Sequence, residues 1–337
     1  MRALRAVEIK FDNGGNRLSA VNHEQEVGMY MQWDFLLLVT LAAAAATPAV
    51  GQTSTVEAAS IGTPGAATIP DFSGVWRHPS LPGLEPLASG PTSLTNRVRR
   101  RSDGASDYNR LVGDYTNPIL QPWAAAVVKK YGELSMAGVT YPNPANQCWP
   151  EPVPFIFKHF GMQMLQQPHQ ITILYSEDHE VRRVRMNQPH PAQITPSWYG
   201  DSVGHYEGDT LVIDTVGTKT DRPFAMLDLY GTPYTEKLHV VERYRLLDYE
   251  DAKEGLERDA KENQLVQRDT MDRKAKGKYL QVHITVEDEG VFTTPWSATV
   301  TYGRSLIEWL EIVCAENRHE YYNNKESDVP KADKSDF

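Results

Sequence analysis

From His169 onward, apolar residues recur at every second position in a series of short segments. The segments 169–175 (HQITILY), 181–186 (VRRVRM), 210–216 (TLVIDTV), 238–247, 279–288, 296–302 and 305–313 are rich in β-branched and aromatic residues. Alternation of that kind puts one set of side chains on a buried face, which is how half-buried strands read. With an earlier short strand at Phe72–Trp76 the series has about eight members, joined by short turns. This predicts a mainly β fold, an antiparallel meander that closes into a barrel or a strongly curved sheet. No βαβ alternation and no glycine-rich phosphate loop occurs, which argues against a nucleotide-binding α/β fold.

The region before the series reads differently. Residues 70–118 are rich in Pro, Gly and Ser and predict mostly loop. Pro122–Leu134 predicts a helix, with Pro122 at a position where helices tolerate it. Trp123, Val127 and Leu134 are expected on its inner face. Together these form an N-terminal loop and helix layer over the β domain. Residues 250–278 interrupt the strands with many charges and few large apolar side chains. A charged helical insertion fits, either a solvated excursion or a lid over a barrel mouth.

The first fifty residues carry a different signal. FLLLVTLAAAAATPAV at 35–50 is too short for a bilayer, which takes about 20 residues, and ends in small side chains. It predicts a signal peptide within 1–51, with Met29 or Met31 as an alternative start, then a flexible linker at 52–69. A single folded domain is expected over 70–327, with a disordered tail at 328–337. The protein is accordingly expected to be periplasmic or secreted, with no stable membrane span after processing. Formal charge is −10, from 34 Lys and Arg against 44 Asp and Glu, which disfavours a nucleic-acid partner. The two cysteines, Cys148 and Cys314, can either pair in an oxidising compartment or stay as buried thiols.

The residues that suggest chemistry crowd into 188–214, QPHPAQITPSWYGDSVGHYEGDTLVID. Prolines and glycines hold irregular backbone there, beside aromatic and ionisable side chains. A histidine acts as general acid or base when a second group fixes its tautomer. His190 or His239 with Asp201 is the candidate pair. His239 and Arg243 share one strand parity, and an inward Arg243 would need Asp201 or Asp214 as its partner. Tyr175, Trp198, Tyr199 and Trp296 are candidates to line an apolar site. No His-x-His or HExxH sequence occurs, so no metal is assigned and no cofactor is expected. Ser202 lacks a nucleophile-elbow motif and reads better as a turn residue.

PDFSGVW, PSWYGDSVGHYEGDTLVIDTVG, LHVVERYRLL, ITVEDEGVFTTPW and CAEN together resemble a large family of exported, mostly uncharacterised bacterial proteins. The resemblance covers about 70–317 and implies an exported β-rich domain, but brings no reaction or catalytic residue with it. Gly74-Val75-Trp76 also resembles the Gly-x-Trp opening of lipocalins, which implies a lipocalin-like barrel.

These readings predict a cofactor-independent enzyme acting on a small hydrophobic or aromatic molecule. Its chemistry would be His/Asp acid–base catalysis of a hydration, elimination, isomerisation or cyclisation. The alternative is a periplasmic protein that binds such a molecule without changing it.

Overall fold

The computed structural model describes residues 69–79, 83–159, 161–177, 180–222, 224–263, 276–306, 309 and 312–314. The expected signal peptide, the linker apart from Ile69, and the tail lie outside the described residues.

Ten strands form one mixed sheet. They are β1 (Gly74–Arg77), β2 (Glu85–Pro86), β3 (Gly161–Gln166), β4 (Gln170–Tyr175) and β5 (Val181–Met186), followed by β6 (Asp201–Glu207), β7 (Thr210–Val216), β8 (His239–Leu247), β9 (Tyr279–Glu287) and β10 (Trp296–Arg304). β1 pairs with both β3 and β10, so nine of the strands close into a barrel, and β2 is added outside on β10. Closure removes the exposed edges that an open sheet of this size would leave.

Period two decides which side chains fill it. Ile171, Ile173 and Tyr175 of β4 are buried, as are Val240, Glu242 and Tyr244 of β8 and Leu280, Val282, Ile284 and Val286 of β9. The β8–β9 register sets Val240 opposite Val286 and Tyr244 opposite Val282 inside the barrel. The basic-looking β5 follows the same rule with an unexpected result, because Arg182 points in and is 3% exposed while Val181 points out and is 42% exposed.

Two expected features need correction. The meander is not wholly antiparallel, because β5 and β6 are parallel neighbours through Arg185 opposite Val203 and Met186 opposite Gly204. Parallel neighbours need a crossover, so residues 187–200 travel from one end of the barrel to the other. The second concerns 305–313. β10 runs on to Arg304 and Ser305 continues from it; 307, 308, 310 and 311 lie outside the described residues, and Ile312 makes an isolated bridge with Glu177.

Two α-helices occur among the described residues. α1 (Pro122–Met136) is where it was expected, but its buried face is Ala124, Val128 and Gly132. Small side chains win that face because Val112 packs so closely that a Cβ on Gly132 would sit 2.8 Å from its Cγ1. Trp123 is exposed and donates from its indole to the Gly290 carbonyl at 2.7 Å. α2 (Tyr249–Asn263) buries Ala252 and Leu256 with Tyr279. It leaves β8 after Leu247 and packs on β2 and β10. That is the end of the barrel away from Tyr175, Asp201 and His239, so α2 is no lid over that end. No helix among the described residues is long and apolar enough to cross a membrane. Cys148 and Cys314 are bonded, with Cα atoms 5.4 Å apart.

Candidate functional site

The strand ends Tyr175, Val181, Asp201, Val216 and His239 lie at one end of the barrel, called here the upper end. Polar groups gather there on the outer wall, inside the barrel, and above it.

On the outer wall the crossover lays His190 across β6 and β7. His190 Nδ1 is 2.6 Å from Asp201 Oδ1 and its Nε2 is 3.1 Å from Asp214 Oδ1. The same Asp214 oxygen is 3.0 Å from His239 Nε2, and His239 Nδ1 is 3.3 Å from Glu287. Arg185 clasps Asp201 with two nitrogens at 2.7 and 3.0 Å. The result is a continuous chain, Arg185–Asp201–His190–Asp214–His239–Glu287. The Arg185 hydrogen bond holds the Asp201 carboxyl below its ordinary range, and the His239 hydrogen bond does the same for Asp214. His239 in turn is raised, chiefly by its bond to Asp214. Every ring nitrogen of His190 and His239 therefore faces a carboxylate. A general acid or base needs a nitrogen turned to its substrate, and this arrangement offers none. It clamps the crossover to the wall.

Inside, Arg182 reaches Glu242 with nitrogens at 2.6 and 2.9 Å, Thr215 at 2.6 Å and Ser202 at 3.1 Å. Tyr244 donates to the same Glu242 at 2.7 Å. Burial pushes the Tyr175 hydroxyl up to about 12 and holds the Tyr244 hydroxyl well above its ordinary value. Arg182, Glu242, Thr215, Ser202 and Tyr244 satisfy one another, while the Tyr175 hydroxyl meets no hydrogen-bond partner among the described residues.

Above the barrel four segments converge. The turn around Phe155–Lys158 brings Glu151, Lys158 and His159, and the β4–β5 hairpin brings Glu177 and Glu180. The end of the crossover brings Trp198 and Tyr199, and the segment after β7 brings Lys219 and Arg222. Lys158 Nζ lies 2.6 Å from His159 Nε2 and 3.5 Å from Glu151. His159 also meets Glu151 directly, and its Nδ1 is 3.5 Å from Glu177. Glu180 accepts the Glu151 backbone N–H at 2.9 Å. Burial alone would raise the Glu151 carboxyl, but the charges of His159 and Lys158 outweigh it and hold it low. Burial lowers Lys158 against the pull of Glu151. Burial first, then the neighbouring Glu180 carboxylate, holds the Tyr199 hydroxyl well above its ordinary value.

Gly200 aims these aromatics. Its φ of +71° belongs to glycine, and a Cβ there would meet the Val216 carbonyl at 2.6 Å. The Ser197 hydroxyl donates to the Gly200 carbonyl at 3.0 Å, and the Lys219 N–H donates to the Ser197 carbonyl at 2.8 Å. The guanidinium of Arg222 lies 4.4 Å above the Trp198 ring.

The chain matches no family model, no curated protein and no solved structure. The functional reading therefore rests on the geometry.

The expected residues fall into separate places. His190 and Asp201 meet directly, and His239 joins them only through Asp214. Arg243 stands apart. Its parity faces outward, and it pairs with Glu207 at 2.6 Å instead of Asp201 or Asp214. Tyr175, Trp198 and Tyr199 come to the upper end; Trp296 begins β10 there opposite Val286, buried in the same core as Tyr175 and edge-on to Phe292 at 5.7 Å. Sequence reasoning missed Glu151, Lys158, Glu180 and Arg222. One signal was present, in that Lys158 and His159 directly follow the apolar run Phe155–Phe157, and all five are buried. Among the described residues no three His, Cys, Asp or Glu side chains are disposed to hold a metal ion.

Proposed function

We propose that the protein is an exported, cofactor-independent enzyme that acts on a small hydrophobic or aromatic molecule by acid–base chemistry at the upper end of the barrel. The observation that carries this reading is the placing of Tyr199 beside the Glu180 carboxylate, next to buried Glu151, His159 and Lys158. Of these groups Tyr199, Glu151 and Lys158 are shifted from their ordinary values, and shifted groups that share one buried region favour catalysis over plain packing. Glu180 is the candidate base, able to take a proton from a substrate carbon or hydroxyl. Tyr199, kept protonated, can donate its hydrogen bond to the oxygen on which charge develops. His190 and Asp201 become positioning residues that fasten the crossover carrying Trp198 and Tyr199. Export is supported by the Cys148–Cys314 bond, by the apolar run at 35–50 and by the resemblance to exported bacterial proteins.

The gathering of Tyr175, Trp198 and Tyr199 would equally suit a protein that only binds its ligand. Ligands identified by native mass spectrometry after expression in a periplasm separate the two. For the enzyme, Tyr199→Phe and Glu180→Gln should keep ligand affinity within about tenfold while turnover falls at least about a hundredfold. A ligand that wild-type protein releases unchanged selects the binding reading.

A further inference from the structure

Arg222 is 8% exposed, and among the described residues none of its three side-chain nitrogens meets a hydrogen-bond partner. The contrast is with Arg182. Arg182 is buried too, but Glu242, Ser202 and Thr215 satisfy it. A guanidinium stays protonated in proteins, so a buried one without a partner is costly. The neighbouring groups do not relieve it. The hydroxyl of Tyr234, which donates to the Lys219 carbonyl at 2.9 Å, is the neutral group beside the guanidinium and brings no charge to balance it. Lys219 itself reaches Asp221 at 3.4 Å. Glu151 and Glu180 are near enough to feel the charge of Arg222.

The Trp198 ring, 4.4 Å from the guanidinium carbon, brings no hydrogen-bond acceptor to the N–H edge, whose nitrogens meet no partner among the described residues. Such an edge matches the two oxygens of a planar carboxylate. Glu151 and Glu180 nearby disfavour a doubly charged anion more than a singly charged one. Trp198, Tyr199 and Tyr234 supply aromatic surface around the same place. We propose that Arg222 is the anion-binding residue of this site and that its ligand is a small aromatic carboxylate, held by paired hydrogen bonds from Arg222 beside Trp198. The inference rests on the reading of the upper end as a small-molecule site, and it names the class of molecule that site takes.

The test is calorimetric titration of the full chain with benzoate, benzamide and inorganic phosphate. Benzamide keeps the ring and the planar head group but not the charge. Wild-type protein should bind benzoate at least about tenfold more tightly than benzamide. Arg222→Gln should abolish that preference and leave benzamide affinity unchanged. If that variant does not fold, Arg222→Lys takes its place, and the preference should shrink although the charge is kept. Equal binding of benzoate and benzamide to wild type overturns the inference, as does binding of neither, or a preference that survives replacement of Arg222. Tighter binding of phosphate than of benzoate overturns the carboxylate class. Selective carboxylate binding without turnover of any aromatic acid would remove the enzyme reading and leave this one standing. Turnover of a neutral compound by a protein indifferent to benzoate would do the reverse.

Discussion

Arg182 and Glu242, sixty residues apart in sequence, meet inside the barrel in two hydrogen bonds of 2.9 and 2.6 Å. Both side chains are almost fully buried, so removing either one strands the other away from water. Arg182→Met or Glu242→Gln should each cost about 3–5 kcal/mol in denaturant unfolding. Replacing both together with apolar residues should cost clearly less than the sum. Additive losses would show that the two side chains act independently.

The clamp on the outer wall has a pH signature. Asp214 raises His239, so the histidine ring should titrate above 6.5 when followed by NMR. In Asp214→Asn its titration should fall back towards that value. The raised His239 contributes stability that is complete below 6.5 and is lost as pH climbs through its folded value. The depressed Asp214 contributes stability that is complete above 3.8 and is lost on acidification. Unchanged titration in the variant would show that the contact does not persist in solution.

Glu85 behaves in the opposite sense. Burial, with Asp259 nearby, raises its carboxyl from 4.5 to about 6, although Thr301 donates to it at 3.0 Å and Arg258 lies 3.4 Å away. The stability this gives is present below 4.5 and is lost as pH rises through about 6. The move corresponds to about 2 kcal/mol. Glu85→Gln should therefore gain stability relative to wild type between those two values, as chemical unfolding across a pH series would reveal. A constant difference across the series would refute the assignment.

Gly200 and Gly208 make a matched pair. Both have positive φ, +71° and +61°, but a Cβ on Gly200 would strike the Val216 carbonyl while one on Gly208 would meet nothing within 4 Å. Gly208→Ala should cost about 1 kcal/mol from backbone strain alone, and Gly200→Ala distinctly more. Only Gly200→Ala should also weaken ligand binding, because Tyr199 directly precedes it. Thermal unfolding beside the same calorimetric titration reads both effects.

The strands that could be read from sequence are those built on β-branched side chains. Ile171 and Ile173, Val212 and Ile213, and Val282 and Ile284 announce β4, β7 and β9 by themselves. β3 (GMQMLQ) does not, because Met, Gln and Leu favour helices when alone. It is a strand only because β1 and β4 pair with it and bury Met162 and Met164. β6 was hidden in the Pro- and Gly-rich motif. Its inward Gly204 is small because Val184 and Met186 leave a Cβ only 2.9–3.0 Å of room. Period two reveals which face a residue takes but not the direction of its neighbour, so the parallel β5–β6 step left no trace.

The site was legible to the same degree. Trp198 and Tyr199 stood out because they sit in one dense motif. Glu151, Glu180 and Arg222 lie in three separate segments, Glu180 and Arg222 among other charges, and only the fold brings them near one another. His190 and His239 attracted attention as ionisable groups, but nothing local could show that carboxylates would claim both nitrogens of each ring.

The crossover at 187–200 has a consequence for how such a protein can diversify. Apart from its ends it stands outside the ladder that closes the barrel, yet it delivers Trp198 and Tyr199. Insertions or deletions near its exposed stretch at 191–193 would re-aim those two rings without shifting any strand by a residue. Ligand choice could thus drift quickly in relatives whose barrels stay superimposable, and loop length rather than strand sequence would be the variable that tracks it.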